Sequence, residues 1–246
     1  MKIGLFIPCY IDQFYPQVGV ASLEILQKLG YSVEFPLNQT CCGQPMANSG
    51  CEKDAQAAAS HFVDIFSDCD YIVGPSGSCV YFVRKHYDFL PASDALSHVQ
   101  TRTLDICEFL YQVADLDKIK ARFPAKVGLH PSCHGLRGLH LGKGSELMGD
   151  AFSIQESLLH RVEGLELVPL DRSDECCGFG GTFSVSETAV SVKMGNDRVK
   201  DHLNHGAEVL TGGDMSCLMH LEGLIRRQKK NLRVMHIVEI LNQTAV

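Results

Sequence analysis

Short apolar runs alternate with longer amphipathic stretches along this chain. Ile3 to Ile7, Ser32 to Phe35 and Tyr71 to Val73 are brief, rich in branched and aromatic residues, and bounded by turn formers, which predicts strands. Between them, Val20 to Leu29 and Asp54 to Phe66 repeat apolar positions at three- and four-residue spacing, which predicts helices that bury one face. Strands alternating with helices imply parallel pairing, because parallel strands need a crossover long enough to hold a helix.

The pattern then runs a second time. Lys2-Ile-Gly-Leu-Phe-Ile-Pro-Cys9 matches Lys126-Val-Gly-Leu-His-Pro-Ser-Cys133, and Phe35-Pro-Leu leading to Cys41-Cys42-Gly43 matches Val168-Pro-Leu leading to Cys176-Cys177-Gly178. Tyr71-Ile-Val-Gly-Pro-Ser-Gly-Ser-Cys79 matches Val209-Leu-Thr-Gly-Gly-Asp-Met-Ser-Cys217, and Thr101 to Gln112 matches Leu232 to Gln243. Matching blocks in one order predict an α/β protein of two tandem pseudo-symmetric repeats, each a small parallel sheet flanked by helices. The boundary falls at Pro124, which breaks a helical pattern near Ala121 to Ala125, so the units are residues 1–120 and 121–246. Ser49 with Glu52, and Ser184 with Glu187, stand at the same distance after each cysteine pair and read as capping boxes opening the next helix.

Composition narrows the function. A formal charge of −7, with Arg226, Arg227, Lys229 and Lys230 as the only basic run, gives no reason to bind nucleic acid. No apolar run is long enough to cross a bilayer, so no direct membrane insertion is expected. The stretch from Ile3 to Pro8 is too short for a signal-peptide core, which points to the cytoplasm. In a reducing compartment, eleven cysteines mean metal or redox chemistry rather than disulfides.

Eight of those cysteines repeat: Cys9, Cys41, Cys42 and Cys79 in the first half, Cys133, Cys176, Cys177 and Cys217 in the second. Each follows a predicted strand, so each set converges at the carboxyl edge of its sheet, where such folds hold ligands. Four thiolates are the number that an iron–sulfur cluster takes from protein. Gly43 and Gly178 permit a tight turn that brings backbone amides to sulfur, and Cys79 and Cys217, at predicted helix starts, are biased toward thiolate. Zinc is the alternative occupant, in one site or both, and would make the chain a metal-stabilised scaffold without redox activity. Its common C-x-x-C spacing is absent here. Cys51, Cys69 and Cys107 have Ser186, Ala207 and Val238 as counterparts and read as ordinary small residues. His130 and His134 flank Cys133 and read either as loop histidines or as proton relays. No P-loop, no G-x-G-x-x-G after a strand and no ferredoxin-type cysteine run appears, so electrons must come and go through partners.

With its two Cys-Cys-Gly motifs, leading Cys9 and Cys133 and trailing Cys79 and Cys217, the chain resembles the cysteine-rich "CCG" domain family over nearly its whole length. That family includes the cysteine-rich component of heterodisulfide reductase and iron–sulfur components of glycolate- and glycerol-3-phosphate-oxidising enzymes. The resemblance implies an oxidoreductase component that passes electrons through [4Fe-4S] clusters during oxidation of L-lactate, or another 2-hydroxy acid. It also implies two partners, a ferredoxin-type iron–sulfur protein and a third lactate-utilization protein. The heterodisulfide reductase pattern has a fifth cysteine in each repeat; here those positions are Phe82 and His220. Cubane and non-cubane clusters both stay open, as does a conventional cubane or a vacant site in the first half, with His220 either a replacement ligand or a structural residue.

Overall fold

In a computed structural model, which describes residues 1–243, each half of the chain is a four-stranded parallel sheet with flanking helices. The first half runs β1 (Lys2–Leu5), α1 (Cys9–Phe14), α2 (Pro16–Lys28), β2 (Ser32–Glu34), α3 (Gln44–Asn48), α4 (Glu52–Phe66) and β3 (Tyr71–Gly74). It continues through α5 (Gly77–His86), α6 (Asp94–Arg102), β4 (Thr103–Asp105) and α7 (Ile106–Gln112). The second half has β5 (Lys126–Leu129), a single π-helical turn at His134–Gly138, α8 (Ile154–Leu159), β6 (Glu166–Leu167), α9 (Phe183–Ser186) and α10 (Thr188–Asn204). β7 (Val209–Gly212), α11 (Met215–Arg227), β8 (Arg233–His236) and α12 (Ile237–Leu241) follow.

Strand order is β2-β1-β3-β4 in one sheet and β6-β5-β7-β8 in the other. Register repeats as well: Ile3 lies opposite Tyr71 and Gly4 opposite Ile72, as Val127 lies opposite Val209 and Gly128 opposite Leu210. The expected fold class is therefore the observed one. The halves share one apolar core, in which α2 packs on α12 and α7 on α8, so that Ile106, Phe109 and Leu110 are buried with Leu158, Ile240 and Leu241. Burial of side chains this size contributes about 1.5–3 kcal/mol each.

The expected capping boxes do not form. Ser49 ends α3 and donates to the Pro45 carbonyl at 2.8 Å, while Ser184 lies inside α9 and donates to the Gly181 carbonyl at 2.7 Å. A short helix after each cysteine pair takes up the serine, and α4 and α10 begin without a side-chain cap. A capping box forms instead at α12, between His236 and Glu239.

One feature breaks the symmetry. α4 buries Ala55, Ala59, Phe62 and Phe66, and Phe6 meets Phe62 edge-on at 4.9 Å between ring centroids. The corresponding helix α10 buries Arg198, Asp201 and His202. Arg198 is wholly enclosed, donating to the Arg172 carbonyl and, at 3.0 Å, to the Asp201 carboxylate. Gly128 makes room for this group: a Cβ there would lie 2.1 Å from Nδ1 of His202.

Candidate metal centres

Both cysteine sets assemble at the carboxyl ends of their strands. Cys9 opens α1 directly after β1, and Cys79 is in the first turn of α5 directly after β3. Cys133 precedes the π turn after β5, and Cys217 lies in the first turn of α11 after β7. The Cys-Cys pairs arrive on the loops that follow β2 and β6. In the first half neighbouring thiols perturb one another's proton affinity in a chain, Cys9 with Cys41, Cys41 with Cys42, and Cys42 with Cys79. In the second half the chain is Cys133 with Cys176, Cys176 with Cys177, and Cys177 with Cys217.

Each chain runs from solvent to interior. Cys9 is exposed and Cys41 half-buried, whereas Cys42 and Cys79 are buried; Cys133 and Cys176 are half-buried, Cys177 and Cys217 buried. Gly43, at φ 91°, and Gly178, at φ 87°, adopt the left-handed conformation that a side chain disfavours, and each presents its amide to a sulfur at 3.4 Å. Phe179 presents its amide to Cys177 at the same distance.

Thiolate character falls on the first cysteine of each pair. Contacts from Cys42 and Cys9, with the Gly43 amide, hold the Cys41 thiol far below its ordinary value, and Cys133, Cys177 and the Gly178 amide do the same for Cys176. Cys217 departs from the helix-terminus expectation: Cys177 pulls its pKa down, but burial and the Asp214 charge outweigh that and leave it raised. A helix terminus supplies a fraction of a charge, whereas burial removes the solvation of a whole one.

Asp214 joins the two sites. It caps α11 through the Ser216 amide at 3.1 Å and hydroxyl at 2.7 Å, and it also accepts from the Ser78 amide of the first half at 2.7 Å and the Tyr10 hydroxyl at 3.5 Å. Tyr10 further bonds the Ser76 hydroxyl at 2.7 Å. Asp214 thus binds the first turns of both cysteine-bearing helices, a role its Gly-Gly-Asp-Met setting signals only as a cap. Nearby, Asp105 caps α7 and is wholly buried, and burial raises its carboxyl pKa to about 8.

His130 was legible beside Cys133, and the fold carries its ring inward. It is 1% exposed, its two ring nitrogens have no hydrogen-bond partner, and its donor atom lies within 4.8 Å of the sulfurs of Cys177 and Cys217. Burial, aided by Arg198, lowers its pKa to about 3, which keeps the ring neutral. His134 turns away to pack on Tyr81, and His220 lies against the carbonyls of Ser191 and Cys177. Cys51, Cys69 and Cys107 join neither set.

The donors suit a metal cofactor. Sulfurs on one tetrahedral zinc would stand about 3.8 Å apart. Among the described residues the mutually close donor groups are His130/Cys177/Cys217 and Asp171/Asp201/His205, so neither thiol set closes to that spacing by itself. The acidic group is an ion-pair network, His205 lying 3.2 Å from Asp171 and 3.3 Å from Asp201. An open pocket of about 620 Å³ adjoins Cys133 and Cys176, and its arginines are already paired, Arg137 with Glu146 and Asp174, Arg172 with Glu175.

Two parallel sheets, each with a Cys-Cys-Gly turn and two flanking cysteines at its carboxyl edge, define a class. The chain belongs to the family built on the CCG cysteine-rich domain, matched at residues 3–84 and 127–222. It is 41% identical over 252 residues to lactate utilization protein A of Exiguobacterium sp., covering 98% of this chain and 97% of that one. It is 39% identical to the proteins of that name from Halalkalibacterium halodurans and Geobacillus thermodenitrificans, covering 98% of this chain and 97% and 99% of theirs. An aspartate racemase homologue from Pyrococcus horikoshii is a distant structural neighbour, with TM-score 0.34 and 15% identity over 98% of this chain and 95% of that one.

Proposed function

We propose that this chain is an iron–sulfur electron-transfer component of a multi-protein system that oxidises L-lactate or a related 2-hydroxy acid. Cys9, Cys41, Cys42 and Cys79 hold one centre in the unit 1–120, and Cys133, Cys176, Cys177 and Cys217 hold the other in the unit 121–246. The observation that carries this reading is the pair of four-cysteine sets, each brought by separate loops to one sheet edge. The relatives' name supplies the substrate class. When bound, clusters of this kind accept and release electrons singly.

The residues of the chain do the remaining work. The buried thiols Cys42, Cys79, Cys177 and Cys217 exclude water from the inner side of each centre. The amides of Gly43, Gly178 and Phe179 point at sulfur and stabilise negative charge there. The exposed Cys9 end and the half-buried Cys133 end leave an edge at which a ferredoxin-type protein can approach; a third lactate-utilization protein completes the system. Eleven free thiols suit the cytoplasm.

Protein prepared anaerobically is expected to be brown, and Cys177→Ser to lose iron and sulfide, because a hydroxyl is a poor substitute for thiolate toward iron. Lactate-dependent dye reduction is expected only with the partner proteins added, and not with Cys177→Ser. Zinc at full occupancy in both sets, or undiminished lactate oxidation by the isolated chain, would overturn the proposal.

A further inference from the structure

We propose that His130 is a nitrogen ligand to the metal held by the second cysteine set, which makes that set a mixed imidazole–thiolate site while the first is thiolate only. The inference rests on the metal-binding reading above and adds a residue and an inequivalence that the cysteine pattern does not contain.

A buried imidazole with both nitrogens unpartnered is costly, and such a group needs an explanation. His130 is in that position at 1% exposure. It is not held as a hydrogen-bond donor to sulfur, since it has no partner, yet its donor atom and the sulfurs of Cys177 and Cys217 all lie within 4.8 Å of one another. An unpartnered buried imidazole that converges with two thiols from separate elements is what a metal ion draws together. Metal–nitrogen bonds near 2.0–2.1 Å and metal–sulfur bonds near 2.3 Å put such donors about 3.6 Å apart at a tetrahedral centre, a small closure from this spacing.

The first half has no such group. Phe6 stands at the matching place in the repeat and packs on Phe62 and Phe66, whereas near His130 lie Arg198, whose charge lowers the proton affinity of both His130 and His202, and His202 itself. His202 also has an unpartnered Nδ1. The whole polar inset, from His130 to α10, is thus confined to one repeat. His220, at the fifth-cysteine position, is excluded from the converging group by the same distances.

The test uses the full chain carrying Cys41→Ser and Cys42→Ser, so that only the second set binds, with cobalt(II) as the probe and 15N-labelled histidine. Cobalt is expected to give a thiolate charge-transfer band and, in pulsed EPR, a coordinated-nitrogen coupling that changes with the label. His130→Phe, which copies the first half, is expected to lose that coupling and to weaken cobalt binding roughly tenfold or more, while His220→Phe keeps both. A charge-transfer band without a histidine coupling, or a coupling that survives His130→Phe, overturns the assignment of His130 alone. Should His130→Phe fail to fold, His130→Leu is read in the same way. Absence of any charge-transfer band overturns the metal-binding reading and this inference with it.

Discussion

Replacing Asp105 by asparagine is expected to remove a pH dependence from the stability of this fold. Asp105 lies at the end of β4, is wholly buried, and accepts from the Cys107 amide at 2.8 Å through one oxygen while the other has no partner. Burial raises its pKa from 3.8 to about 8, the Cys107 amide opposes the rise, and Glu108 and Asp214 add to it. The folded chain therefore holds a proton that the unfolded chain releases above pH 4. Stability from this group is fully present below 3.8 and is lost as pH rises through about 8. At about 1.4 kcal/mol per decade, the loss between pH 5 and pH 7.5 is on the order of 3 kcal/mol. Asparagine keeps the oxygen that caps α7 and cannot ionise. Urea unfolding of both proteins under anaerobic, reducing conditions, from pH 5 to 7.5, is expected to show the stability difference moving in the variant's favour by about that amount. Parallel curves would refute the reasoning, because they would mean that Asp105 ionises equally in both states.

Three further outcomes follow from local geometry. Gly178→Ala places a Cβ 2.7 Å from the Ser191 carbonyl at φ +87°, whereas Gly43→Ala meets nothing nearer than 3.2 Å at φ +91°. Both carry a left-handed cost of about 1–2 kcal/mol, so calorimetry is expected to show the larger fall in melting temperature for Gly178→Ala; equal falls would contradict the clash. Tyr87→Phe removes the 2.9 Å bond to the Cys42 carbonyl and is expected to cost about 1–2 kcal/mol in urea unfolding, with an unchanged midpoint as the contrary result. Gly128→Ala is expected to destabilise by about 1–3 kcal/mol through His202, and adding His202→Ala to recover part of that; strict additivity would show that the two do not meet.

Much of this protein was legible in the order of its residues. Strand and helix periods are local, so Ile3 to Ile7 and Asp54 to Phe66 announced β1 and α4 within a few residues, and the repeat announced the second sheet. The eight cysteines lie beyond the carboxyl ends of the strands, because a parallel sheet delivers every strand to the same edge. Tertiary structure decided what depends on distance through space. The serines of the expected capping boxes were taken by α3 and α9, since a helix end is settled by what the whole turn packs against. Thiolate character went to Cys41 and Cys176 and away from Cys217, because pKa sums burial and neighbouring groups that the chain order does not reveal. Asp214 reaches Ser78 across 136 positions of chain, and His130 meets Cys177 and Cys217 only once β5 and the loop after β6 lie side by side. The sequence alone determined which groups are available and which half each belongs to; the packing of the halves decided which of them touch.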